Sequence, residues 1–159
     1  MATKSTNPQT LLRIRLDPVA QSAALGRKVV RDVLAACPRA QTETVLLVAS
    51  ELVTNAVQHA HTPLRLEVTA KEHTLTVAVT DGLPDDNTHM KKTSSTSHRE
   101  NGRGLVLIDA LCESWGITRG ESSKSVWANI APEGDPGPGS QAVSGTAGTP
   151  KTRIAMSSR

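Results

Sequence analysis

The segment Ser50-Glu51-Leu52-Val53-Thr54-Asn55-Ala56-Val57-Gln58-His59-Ala60 sets a polar stripe against an apolar face. At about 100° per residue, Val45, Val48, Ala49, Leu52, Val53 and Ala56 share one broad side. Thr44, Glu51, Thr54, Asn55 and Gln58 fall on the narrow opposite side, broken only by Leu47. The pattern predicts a helix from Thr42 to His59, ended by His59-Ala60-His61-Thr62-Pro63. Glu51 and Asn55 stand at i and i+4 and therefore project from one helix face. An asparagine carbonyl is a hard, neutral oxygen ligand, suited to a Mg²⁺ ion that keeps waters and bridges phosphates. A nearby glutamate can orient or deprotonate an attacking hydroxyl or water. Taken alone, E-x-x-x-N also describes a solvated stripe on a surface helix, so the downstream residues decide.

Asp81 ends the alternating run Thr74-Leu75-Thr76-Val77-Ala78-Val79-Thr80. A carboxylate at a strand end can accept a hydrogen bond from the exocyclic amine of adenine while apolar walls hold the ring. A plain Asp-Gly turn is the competing reading at Asp81-Gly82. Further on, Asn101-Gly102-Arg103-Gly104-Leu105 is expected to open a helix. Glycines there let backbone amides approach phosphate oxygens in the favourable field of a helix N-terminus, and Arg103 can add charge. The motif lacks the G-K-[ST] of a Walker loop and the third glycine of a dinucleotide fingerprint. A metal ligand with a base, an adenine reader and a phosphate cradle together point to ATP.

The remaining elements frame these motifs. Leu12, Ile14 and Leu16 alternate with Arg13 and Arg15, as in a strand with one solvated face. Asp17-Pro18 is expected to cap a helix carrying Val19, Ala23, Gly26, Val30, Val33 and Cys37 on one side, ended by Pro38. Leu64, Leu66, Val68 and Ala70, then Leu75, Val77 and Val79, read as two strands joined in a hairpin across Lys71-Glu72-His73. Residues 83–101 lack periodicity and are expected to form a lid. Leu105, Ile108, Cys112 and Trp115 mark a helix that is apolar nearly all round, hence buried, with Gly116 as its C-cap. Residues 117–119 and 125–130 read as closing strands.

Composition narrows the function classes. Phe and Tyr are absent and only Trp115 and Trp127 are aromatic, so stacking platforms for single-stranded nucleic acid are missing. Lys and Arg are scattered despite the net charge of +3, which leaves no phosphate-tracking stripe for direct nucleic-acid binding. The longest apolar run, Val45 to Ala49, is too short to cross a bilayer, and the first ten residues lack a signal-peptide core. A cytoplasmic location is expected. Cys37 and Cys112 read as buried thiols rather than a disulfide. Of the five histidines, those at 59, 61, 89 and 98 come without a zinc-ligand spacing.

The chain from about Leu12 to Ile130 resembles the ATPase superfamily that includes DNA gyrase, histidine kinases and mismatch-repair proteins. Within it, the likeness is to bacterial anti-sigma-factor serine/threonine kinases. Ser50-Glu51-Leu52-Val53-Thr54-Asn55-Ala56 resembles that family's asparagine box, the glycines at 102 and 104 its second glycine box, and Lys124-Ser125-Val126-Trp127 its closing strand. The resemblance implies a Bergerat-type ATP-binding fold: an α/β (α+β) two-layer sandwich whose mixed, mostly antiparallel sheet carries helices on one face. It implies Glu51 as catalytic base, Asn55 as Mg²⁺ ligand, and Asp81, Gly82, Gly102, Arg103, Gly104, Leu105 and Ser125 around ATP. Ser125 stands where the family has a threonine. The first glycine box departs from D-x-G-x-G, with Leu83 and Asp85 at the two later glycines.

The resemblance implies an ATP-dependent protein serine/threonine kinase that binds a sigma factor and phosphorylates an antagonist protein. The alternative is a non-catalytic, ATP-dependent protein-binding module in transcriptional regulation; either is compatible with a homodimer. The expected organisation is a disordered stretch over 1–10, one domain over 11–131 with the lid at 83–101, and a disordered tail over 132–159. From Pro132 onward lie four of nine prolines and five of eleven glycines, too little apolar surface to offset ordering entropy. Removal of residues 132–159 should therefore leave ATP binding and Tm unchanged; a fall of several degrees on truncation would show that the tail docks.

Overall fold

The computed structural model describes residues 7–37, 40–72, 74–82 and 98–132. Five strands and three helices follow in the order β1 (Gln9–Leu16), α1 (Gln21–Leu34), α2 (Thr42–His59), β2 (Leu64–Lys71), β3 (Thr74–Asp81), α3 (His98–Leu111), β4 (Ser114–Arg119) and β5 (Lys124–Ile130). The strands form one sheet in the order β1-β2-β3-β5-β4, with every pairing antiparallel. The architecture is an α+β two-layer sandwich; the sheet is antiparallel throughout the described strands rather than mixed.

Alternation decides which side chains meet the helices. Leu12 and Leu16, then Leu64, Leu66 and Val68, then Leu75, Val77 and Val79, are buried on one sheet face. The apolar side of α2 covers them through Val45, Val48, Ala49, Leu52 and Val53, with Leu46 buried as well. Burying each of the Val and Leu side chains contributes roughly 1.5–3 kcal/mol, so the α2–sheet contact holds the domain together. α1 lies against α2 and β1, while α3 packs on α2 and β4. The hairpin between β2 and β3 closes at Lys71↔Thr74, with Glu72 at a φ of 55° in the left-handed region.

Several local expectations are corrected. Asp17 does not cap α1: its carbonyl accepts from the Val19 amide (2.8 Å) and the Ser22 hydroxyl (2.6 Å), and the helix begins after Ala20. Val19 is thereby left outside the helix and exposed. The first strand takes in Gln9 and Thr10. α3 is not buried all round: Ile108 is buried, but Val106 is 70% exposed and Leu111 is exposed too, since among the described elements α3 packs chiefly on α2 and β4. Gly116 is not a helix cap but part of β4, and Trp115 also belongs to that strand, its indole N–H donating to Asp109 at 3.0 Å. Pro132 is tied back by Gln41, whose side-chain amide donates to its carbonyl at 3.4 Å. Residues 83–97 and 133–159, which carry most of the expected lid and tail, lie outside the described residues.

Cys37 and Cys112 are free thiols, each half-buried. Burial, with the nearby Asp109 charge, pushes the Cys112 thiol up to about 12, so it stays protonated and unreactive at neutral pH. On the sheet face that no described helix covers, Arg13 grips Glu67 through two hydrogen bonds of 3.1 and 2.9 Å. The first effect of that grip is to lower the Glu67 carboxyl below its usual range. Thr76, Asn129 and Ser114 form a hydrogen-bonded row across three strands, at 2.6 and 3.0 Å.

Gly116 sits opposite Trp127 in the β4–β5 ladder, and a Cβ there would lie 2.7 Å from the indole Cζ2. The ring is rigid and held by its N–H bond to Thr118 at 3.2 Å. Gly116→Ala should destabilise the domain by about 1–3 kcal/mol, the usual cost of overpacking. Chemical denaturation followed by Trp127 fluorescence measures it; an unchanged midpoint would show that the ring gives way freely.

Candidate functional site

The polar stripe of α2 turns toward α3. Glu51 and Asn55 are half-buried, and Gly104 of α3 packs directly on them. A Cβ at position 104 would lie 2.6 Å from Glu51 Oε2 and 3.7 Å from Asn55 Nδ2. A side chain there would displace the Glu51 carboxylate, while Asn55 would stay at ordinary contact distance. A glycine inside a helix costs about 1 kcal/mol relative to alanine, and here the close approach explains its presence. Residues read from two separate motifs are thus brought together.

The glycines do not open their helix. α3 starts at His98, so Gly102 and Gly104 lie inside it, and the helix takes in residues 98–101 of the stretch expected to lack periodic structure. Amides beyond the first four of an α-helix are already bonded to carbonyls one turn back. Gly104 therefore acts by permitting contact rather than by offering its amide. Arg103 lies between the two glycines in α3, and Leu105 follows half-buried against the core.

Asp81 falls in the inward row of β3 after Leu75, Val77 and Val79, and only 3% of it is exposed. A carboxylate where the pattern calls for an apolar side chain marks a site, since burying a charge costs free energy unless a partner compensates it. Lys124, directly across on β5, supplies an ion pair with Nζ 3.7 Å from Asp81 Oδ2. Gly82 is anchored behind it: its amide donates to the Thr62 hydroxyl at 2.9 Å. Thr62 lies in the loop after α2, which links the Asp81 end of the sheet to the helix bearing Glu51 and Asn55. An open groove of about 600 Å³ runs past Asp81, Gly82, Thr62 and Ser123.

Ser125 is set apart from this group. It pairs with Thr80 rather than Asp81, accepting from the Thr80 hydroxyl at 3.1 Å on the uncovered sheet face. The strand's twofold alternation turns its side chain away from Asp81 and gives Lys124 the inward position. Sequence reasoning missed Lys124 and Thr62; the pairing partner of Asp81 was the signal for the first, and it depends on a register that the sequence does not print.

The donor set suits a nucleotide with Mg²⁺: a carboxylate and a neutral amide oxygen side by side on α2, and a glycine-lined approach from α3. The histidine kinase-like ATPase domain family matches residues 17–130. The chain belongs to that family. Its members bind ATP, typically with Mg²⁺. No curated protein matches the sequence. Among solved structures, the RsbU and RsbW domains of Rv1364c from Mycobacterium tuberculosis are similar, at 20% identity and a TM-score of 0.56. The match covers 80% of this chain but 32% of that one, and at this identity it shows the fold. No helix among the described residues is long and apolar enough to cross a membrane.

Gly104→Ala separates packing from chemistry in this histidine kinase-like ATPase domain. The added methyl meets the far end of a flexible Glu51 side chain, which can rotate away, while alanine gains about 1 kcal/mol of helix propensity. The variant should keep its Tm within a few degrees but bind ATP more weakly by calorimetry. Unaltered ATP affinity would show that the Gly104 contact is only structural.

Proposed function

We propose that this chain is an ATP-binding regulatory protein of the anti-sigma-factor kinase type, acting in the cytoplasm. It binds ATP, transfers the γ-phosphate to a serine or threonine of an antagonist protein, and holds a sigma factor. The observation that carries this reading is the convergence of Glu51, Asn55 and Gly104 at the α2–α3 contact. The family assignment supports ATP as the ligand, and the likeness to a structure containing an RsbW domain supports the regulatory class.

Asp81 accepts a hydrogen bond from the exocyclic amine of adenine and fixes the base at the end of β3. Asn55 would hold Mg²⁺, which when bound neutralises charge on the phosphate oxygens. Glu51, one turn earlier on the same face, orients the acceptor hydroxyl and takes its proton. The acceptor oxygen then forms its bond to the γ-phosphorus as the bond to the β-phosphate oxygen breaks, and ADP leaves. Because the acceptor belongs to another protein, turnover of ATP alone is slow.

Calorimetry should show Mg²⁺-dependent ATP binding in the micromolar range, about −8 kcal/mol. Asn55→Ala should impair both binding and transfer. Glu51→Ala should keep binding while losing roughly 10²–10⁴ in transfer rate to a bound antagonist. A folded wild type giving no heat with ATP or ADP would overturn the reading. Binding of a partner in an ATP-dependent manner without phosphorylation of it would leave the non-catalytic protein-binding module.

A further inference from the structure

Asp81 and Lys124 are directly opposed in the β3–β5 ladder, and alternation turns both side chains to the helix-covered face. The ammonium lies 3.7 Å from Asp81 Oδ2, an ion pair too long to be a hydrogen bond. The Lys124 side chain is 24% exposed beside a carboxylate that is nearly sealed. An acceptor and a donor therefore stand side by side at the end of the sheet, on neighbouring strands.

Resting on the reading of Asp81 as the residue that meets adenine, we propose that Lys124 is the second half of the base-reading site, donating to the ring nitrogen N1. The edge of adenine carries a donor, the exocyclic amine, next to an acceptor, N1. Asp81 and Lys124 present the complementary acceptor and donor. The four-carbon stem of lysine lets its ammonium turn from the carboxylate to the base with little backbone change. In the same pose guanine sets a carbonyl oxygen against the Asp81 carboxylate and an N–H against the Lys124 ammonium. Both contacts become repulsive, so the pair selects adenine by rejecting guanine as well as by binding its own base.

The test compares ATP with 1-deaza-ATP, in which a C–H replaces N1, on wild type and Lys124→Met by calorimetry with Mg²⁺. Wild type should bind 1-deaza-ATP about 10-fold or more weakly than ATP, the loss expected when a buried donor is left without its acceptor. Lys124→Met should bind ATP with a similar loss and show no further loss on the deaza analogue. Lys124→Gln, which keeps an N–H donor, should retain part of the N1 dependence. Equal affinity of wild type for the two nucleotides overturns the proposal without reference to any variant. The same fold loss on N1 replacement in wild type and in Lys124→Met overturns it as well. Failure of wild type to bind ATP at all is a different result: it removes the proposed function, and this inference with it.

Discussion

The apolar side of α2 lying on the inward rows of β2 and β3 is the contact on which the rest of the structure depends. Val45, Val48, Ala49, Leu52 and Val53 meet Leu66, Val68, Val77 and Val79 in one continuous core. Because a helix turns every 3.6 residues, fixing that face toward the sheet fixes Glu51 and Asn55 at its margin. Because a strand alternates, fixing Val77 and Val79 inward fixes Asp81 inward too. A one-residue slip of β3 would turn Asp81 to the uncovered face and separate it from Lys124.

The site occupies the places where local preferences are overruled. Asp81 puts a carboxylate in an apolar row, Gly104 puts a poor helix former inside α3, and Glu51 and Asn55 are half-buried polar groups at a helix–helix contact. Each departure has a structural counterpart: Lys124 across from Asp81, and the close approach of α3 at Gly104. Such departures are expected at functional sites, where a sequence gives up local consistency for chemistry. Elsewhere the chain is consistent. The uncovered sheet face carries arginines, threonines and Asn129 at the positions that alternation assigns to water, as antiparallel sheets allow.

Period and punctuation made much of the fold legible. α2 runs from Thr42 to His59 as its apolar pattern predicts, and the hairpin of β2 and β3 follows from two alternating runs around a short polar break. The start of α1 was misjudged because Asp17-Pro18 is a strong capping signal, yet the Asp17 carbonyl is used in a turn instead. Apolar content does not say how many sides of a helix have neighbours, and among the described elements α3 packs chiefly on α2 and β4.

The sequence by itself determined which residues share a face: Glu51 with Asn55 through helical periodicity, and Asp81 with Val77 and Val79 through alternation. Those relations are local, set by backbone geometry over a few residues. Only the tertiary structure decided that Gly104 touches Glu51, that Lys124 and not Ser125 faces Asp81, and that Thr62 anchors Gly82. Each of these joins segments about 20 to 50 residues apart, through strand register or helix packing, and both are chosen by burial of the whole core rather than by any neighbouring residue.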